Sequence, residues 1–168
     1  MDAAPQSPAS VRRARKDDYD AVNRLLEQVD HMHRDALPWL FRAPNGPARP
    51  ASEFATLLAG PDSMVWVAVD AADRPLGVAI GLMRSTTDHP LIRPARYGVL
   101  DVLVVDATAR GRGLGRALTL GFEDWAAAEG AEWLEVKVYA FNESAQRAYA
   151  AQGYAPLTLQ LRKPLGSG

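Results

Sequence analysis

Val104-Val105-Asp106-Ala107-Thr108-Ala109-Arg110-Gly111-Arg112-Gly113-Leu114-Gly115-Arg116 is the stretch on which the reading of this sequence turns. Before it, residues 97–105 form an almost unbroken apolar run, the pattern of a central strand covered on both faces. After it, Leu114, Leu118, Phe122 and Trp125 share one face of a helix over residues 114–129, and Gly130 ends it. The stretch therefore joins a buried strand to a helix start. Its three glycines let the backbone bend tightly and approach a ligand closely. Free amides and the dipole at a helix start make an anion site, and Arg110, Arg112 and Arg116 add positive charge beside it. Such a loop asks for a phosphate or pyrophosphate.

Spacing narrows the choice. A dinucleotide fingerprint needs G-x-G-x-x-G, but Gly111, Gly113 and Gly115 are two apart and residue 116 is Arg. A P-loop ends in Gly-Lys-Ser/Thr, and here Gly115-Arg116-Ala117 stands in its place.

Working toward the N-terminus, residues 76–83 and 64–69 are β-rich on either side of a turn cluster and read as a hairpin. Residues 52–59 predict a short helix with Ser52 as its cap. Residues 36–50 hold Pro38, Pro44, Pro47 and Pro50, so no regular helix runs through them. Trp39, Leu40 and Phe41 make that segment suited to lining a pocket, with packing over the core as an equal rival. Tyr19, Val22, Leu25, Leu26 and Val29 recur at helical spacing, from Asp17 and Asp18 to about Met32. Residues 11–14 make a short first strand. Toward the C-terminus, Leu134, Val136 and Val138 alternate with polar residues in a strand over 132–139. Asn142 caps a helix that Gly153 ends, and residues 154–163 predict a last strand.

At 168 residues the chain is long enough for one domain with a real core, and a single domain over 1–168 is expected, with flexible tails at about 1–10 and 165–168. A formal net charge of −1 gives no support to nucleic acid or an anionic membrane as the main partner. The absence of cysteine excludes disulfides, thiolate metal sites and a covalent cysteine nucleophile. Residues 1–10 carry Pro5 and Pro8 and no apolar run, so they do not read as a signal peptide. No stretch approaches the roughly 18 apolar residues of a membrane span. The expected place is the cytoplasm. His31 and His33 lie two apart on a helix and do not share a face, so no metal site is expected.

The run Arg110-x-x-Gly113-x-Gly115 after Leu103-Val104-Val105 resembles the pyrophosphate motif of the GNAT superfamily of acetyl-CoA-dependent N-acetyltransferases. Val138-Tyr139-Ala140-Phe141-Asn142-Glu143-Ser144-Ala145-Gln146-Arg147-Ala148-Tyr149, with Gly153-Tyr154, resembles that family's second acyl-CoA motif. The resemblance covers about a third of the chain. It implies an α/β (α+β) fold with a mixed, mostly antiparallel central sheet flanked by helices, in the order β-α-α-β-β-β-α-β-α-β. It implies acetyl-CoA as acyl donor and an amine-bearing small molecule or peptide as acceptor, and it leaves a homodimer open. The strand before the loop would splay from its neighbour at a β-bulge. Leu103, Val104 and Val105 would then meet the pantetheine arm, and Arg110, Gly111, Arg112, Gly113, Leu114, Gly115 and Arg116 the pyrophosphate. Asn142 would reach the pantetheine, although an Asn there is equally a helix cap.

Two residues carry the chemistry that resemblance implies. Tyr149 would be the phenol that protonates the departing thiolate, against its reading as a core aromatic. Asp101 interrupts the apolar run, where an ionised carboxylate is costly unless paired or wetted. A partly desolvated Asp is a base near neutrality, which amine acetylation needs; the rival is an Asp satisfied by backbone amides near the bulge. Three other functions compete: a catalytically weak CoA-binding or interaction module, transfer of a larger acyl chain, and, weakest, a nucleic-acid module.

Overall fold

A computed structural model describes residues 10–163 and 165, so the expected tails, apart from Ser10 and Leu165, lie outside the described residues. The chain divides into two compact units, one ending at Lys137 and one beginning at Val138. The first holds β1 (Ser10–Arg13), a 3-10 turn (Lys16–Asp18), α1 (Tyr19–Ala36), α2 (Ala51–Ala59), β2 (Ser63–Val69), β3 (Pro75–Ser85), β4 (Arg96–Val105), a second 3-10 turn (Ala107–Ala109), α3 (Leu114–Ala128) and β5 (Leu134–Val136). Its sheet runs β1-β2-β3-β4-β5. The first three pairings are antiparallel and β4–β5 is parallel, giving the mixed, mostly antiparallel sheet implied above.

Alternation along the strands sends side chains to two helical layers. Val65, Val67, Val69, Val78, Ile80 and Val104 pack with Val22, Leu25 and Leu26 of α1 and Phe54 of α2. On the opposite face lies α3, brought close by glycine. A Cβ on Gly81 would stand 2.6 Å from the Phe122 ring, and one on Gly98 would stand 2.8 Å from the Ala126 Cβ. Bare backbone at these two positions lets Phe122 and Ala126 reach the sheet.

The start of α1 is pinned by charge. Asp18 accepts from both terminal nitrogens of Arg12 at 2.8 and 3.0 Å and from the Arg15 amide at 2.7 Å. Arg12 also donates to Asp73 at 2.6 Å in the β2–β3 turn. α1 runs past Met32 to Ala36, since nothing before Pro38 breaks it. Ser52 is not the cap of α2: Pro50 takes that position without a side-chain bond, and Ser52 lies inside the first turn.

The second unit holds α4 (Glu143–Ala150), with Asn142 at its N-cap and Gly153 at φ 90° beyond its end. Two expected strands are corrected. β5 spans three residues rather than 132–139, because its parallel ladder meets β4 only from Gly98 to Leu100. Residues 154–163 form no strand. Leu157, Leu159 and Leu161 alternate as a strand would, yet each is at least 80% exposed. Alternation marks a segment able to pair, and a strand exists only where a ladder partner is engaged.

Candidate active site

The site begins with a discontinuity in β4. Ile80 of β3 stands opposite Val102, and Gly81 stands opposite Leu100. Asp101 has no counterpart and is the extra residue of a β-bulge. The β4–β5 ladder stops at the same point, with Leu100 opposite Val136. From Val102 to Val105, β4 therefore keeps β3 on one side and, among the described residues, has no ladder on the other. The bulge also exchanges faces: Leu100 pairs with Gly81 on the α3 side, whereas Val102 and Val104 pack toward α1 and α2.

Asp101 itself is exposed, not enclosed as its apolar neighbours suggested. The bulge lifts it out of both packed faces. Of the carboxylates whose charge pushes up the Arg49 guanidinium, Asp30 acts most strongly and Asp101 least.

Beyond β4 the chain tightens around Asp106. Its Oδ1 accepts from the Thr108 amide at 2.9 Å and from Thr108 Oγ1 at 2.5 Å. Thr108 first, then Gln28, hold the Asp106 carboxyl below its ordinary range. Gly111 and Gly113 follow at φ 76° and 77°, a left-handed conformation that side-chain-bearing residues rarely adopt. Gly113 is the N-cap of α3 and makes no side-chain cap bond, leaving first-turn amides of the helix without that partner. A Cβ at Gly111 or Gly113 would meet nothing within 4 Å. The loop is an open backbone cradle.

Arg110, Arg112 and Arg116 are exposed around it. Arg110 Nε donates to the Val105 carbonyl at 3.3 Å and Arg112 donates to the Thr108 carbonyl at 3.3 Å. Gly115 is half-buried, and Leu103 and Val105 are also half-buried beside the open edge. The Val104 and Leu114 side chains are buried, so only their backbones are available to a ligand.

A small cavity opens between α1, α2 and β3. Its exposed surface is almost wholly apolar, with Tyr19, Leu26, Phe54 and Ile80 in the wall and Asn23, Arg49 and Glu53 beside them. Arg49 binds Asp30 through both terminal nitrogens at 2.7 and 3.1 Å, and its carbonyl accepts from Tyr19 at 2.8 Å. Of the proline-broken segment, it is thus Arg49 that reaches the cavity. Trp39 is 61% exposed and Phe41 stacks on His33 with centroids 5.2 Å apart, so neither is among the lining residues. Sequence reasoning missed Arg49 and Gln28, which carry no local motif. Their roles appear only through Asp30, nineteen positions away, and Asp106, seventy-eight away.

In the second unit, Asn142 Oδ1 accepts from the Ala145 amide at 3.1 Å, so its capping role is real. Tyr149 is buried, edge-on to Tyr154 at 5.6 Å, and burial pushes its phenol up to about 12. Among the described residues, no group of three or more His, Asp or Glu side chains is arranged to hold a metal. His31 instead bonds Arg34 at 2.8 Å. No helix among them is long and apolar enough to cross a membrane.

The Acetyltransferase (GNAT) family model matches residues 26–154. A solved tetramutant of the BH1408 protein from Bacillus halodurans is 29% identical over 93% of this chain and 99% of that one, with a TM-score of 0.87. Aminoglycoside N-acetyltransferase AAC(6')-Iy in complex with CoA is 16% identical, over 96% of this chain and 98% of that one, at TM-score 0.71. Glucosamine-6-phosphate N-acetyltransferase from Arabidopsis thaliana is also 16% identical, over 94% and 99%, at TM-score 0.68. At such identity these last two speak to the fold alone. Among curated proteins, none matches the sequence.

Proposed function

Because this chain belongs to the GNAT acetyltransferase family, we propose that it transfers an acetyl group from acetyl-CoA to a primary amine by direct attack in a ternary complex. The observation that carries the reading is the cradle: two left-handed glycines leading into the first turn of α3, downstream of the bulge where β4 leaves β5. A pyrophosphate fits that chemistry, since bare amides and a helix dipole meet negative charge with no side chain in the way. Amides from Gly111 to Arg116 would hold it, with Arg110, Arg112 and Arg116 adding charge. The unladdered backbone at Leu103, Val104 and Val105 suits an amide-bearing pantetheine arm, and the Asn142 amide nitrogen is the remaining polar group we assign to it.

In the reaction, the free amine nitrogen attacks the thioester carbonyl carbon, the C–S bond breaks as the nitrogen sheds one further proton to solvent, and CoA leaves as a thiolate. We assign Asp101, acting directly or through water, to take the proton that an ammonium must lose before it can attack. Tyr149 is assigned to protonate the thiolate; with its phenol at about 12 it stays a neutral donor across the neutral range. The acceptor, a small molecule or peptide, would enter from the cavity side, with Arg49 and Glu53 at the wall. We place the reaction in the cytoplasm, with the whole chain acting as one acetyltransferase domain.

The test is a pair of measurements. Saturating acetyl-CoA should raise the melting temperature by mass action, well beyond NAD or ATP. Thiol release against a broad amine panel should then find an acceptor. No thermal shift and no calorimetric heat would end the donor assignment. Binding without turnover on any amine would favour a CoA-binding module instead.

A further inference from the structure

Gln28 is a half-buried residue of α1, on the stretch between Leu25 and Val29 that packs toward the sheet. Its side-chain amide makes two bonds to the entry of the anion loop. Nε2 donates to Asp106 Oδ2 at 2.9 Å, and Oε1 accepts from the Ala107 amide at 3.2 Å. Only a group with a donor and an acceptor on one fork satisfies both; a carboxylate or an ammonium serves one of them. Asp106 spends its other oxygen on Thr108, so this turn is gripped from within and from α1 at once.

The loop needs such a grip. Gly111 and Gly113 have no atom within 4 Å of a Cβ position, so no packing around a side-chain position holds them. The loop is located by its ends: buried Leu114 at the helix side, and residues 106–109 with buried Ala109 at the strand side. Gln28 is the tie that reaches this second end from a different helix. We propose that Gln28 is a positioning residue for the anion loop, fixing where its amides point and thereby setting affinity for the pyrophosphate of an acyl-CoA. The proposal rests on the donor reading above. It also links α1, whose Tyr19, Asn23 and Leu26 wall the cavity, to the loop that would hold the donor.

Gln28→Met keeps the length and apolar stem of the side chain and removes both bonds. Calorimetry with CoA should show Kd raised about tenfold, the equivalent of one lost pair of modest hydrogen bonds. KM for acetyl-CoA should rise in step while kcat changes little. Gln28→Glu should bind CoA more weakly still at neutral pH, because it sets a carboxylate against Asp106. Lowering the pH should recover its affinity relative to wild type, since a protonated Glu again donates. Unchanged CoA affinity in Gln28→Met, or a lower melting temperature with KM and Kd unmoved, would reduce Gln28 to a structural tie and overturn the proposal. A wild-type protein that binds no CoA would refute the donor reading first, and this inference with it.

Discussion

The anion loop and the cavity beside the bulge are built in opposite ways. The loop takes its form from backbone: two left-handed glycines and a helix start lie within a few consecutive residues, with side chains kept out. The cavity is assembled from side chains that begin at Tyr19 and end at Ile80, and Arg49 is held at its wall by Asp30. A site made of backbone leaves a local signature in the sequence. One made of side chains does not exist until the chain has folded, and this is why the loop is readable in the sequence and the cavity is not.

The comparison breaks most sharply at Gly113. Valine there must adopt φ near 77°, a conformation costing on the order of 1–2 kcal/mol for an ordinary residue and more when β-branched. No neighbour lies within 4 Å, so the folded protein should survive while the ligand's space is lost. CoA affinity should fall by about 100-fold or more, and the thermal shift by acetyl-CoA should vanish. A Gly113→Val protein that binds CoA normally would show that the loop is not the donor site.

Asp101 and Tyr149 test whether chemistry follows the same division. Asp101→Asn should leave CoA binding intact and lower turnover by ~10²–10⁴-fold, the range of general acid–base catalysis. Raising the pH should partly rescue it by supplying free amine. Tyr149→Phe should cost less, about tenfold, because a thiolate leaves readily and water can protonate it. High pH should not rescue that variant. With burial pushing the phenol up to about 12, Tyr149 is not expected to cause an alkaline loss in the wild type below about pH 10. An Asp101→Asn enzyme with an unchanged pH–rate profile would move the base elsewhere.

What the sequence displayed and what it concealed follow the same line. The order of elements along the chain as far as α4, and the glycine loop, were legible, since each is a local pattern of period, cap or breaker. Asp101 was visible as an interruption. That it is the bulge residue, and that Leu100 and Val102 therefore face opposite layers, required the register with Gly81 and Ile80. The length of β5 was hidden because it depends on where β4 departs. Leu157, Leu159 and Leu161 had the pattern of a strand without a ladder, and Gln28 looked like any polar residue on a helix.

The helix carrying the cavity wall should be the more acid-sensitive of the two sides. Arg12 first, and the Arg15 amide, hold the Asp18 carboxyl below its ordinary range against a burial effect that opposes them. A carboxyl with a depressed folded pKa contributes stability above its unfolded value, about 3.9, and loses it as pH falls through the folded one. Asp18→Ala should therefore lower stability at pH 7 by about 2 kcal/mol, or roughly 4–8 °C in Tm, by removing the carboxylate that both terminal nitrogens of Arg12 and the Arg15 amide share, although Asp73 still holds Arg12. Below about pH 4 the gap to wild type should close. A gap that stays constant down to pH 2 would mean that the pair contributes packing rather than charge.

The helix carrying the loop should answer to volume instead, and two glycines allow a comparison of sign. A Cβ at Gly98 would stand 2.8 Å from the Ala126 Cβ and 2.9 Å from the Leu134 Cδ2. Leu134 can turn away, but a methyl fixed to the α3 backbone cannot, so Gly98→Ala must displace the helix, at a cost of about 1–2 kcal/mol. Gly121 lies on α3 itself, where an added Cβ meets only Val11 at 3.9 Å, an ordinary contact. Gly121→Ala removes backbone freedom from the unfolded chain and should stabilise by about 0.5–1 kcal/mol. Thermal melts of the two variants should move in opposite directions. Since α3 begins at the loop, Gly98→Ala should also weaken CoA binding, whereas Gly121→Ala should leave it unchanged. If both variants melt below wild type, α3 is held too tightly against β1 for the extra methyl, and its fit to the sheet is closer than these distances indicate.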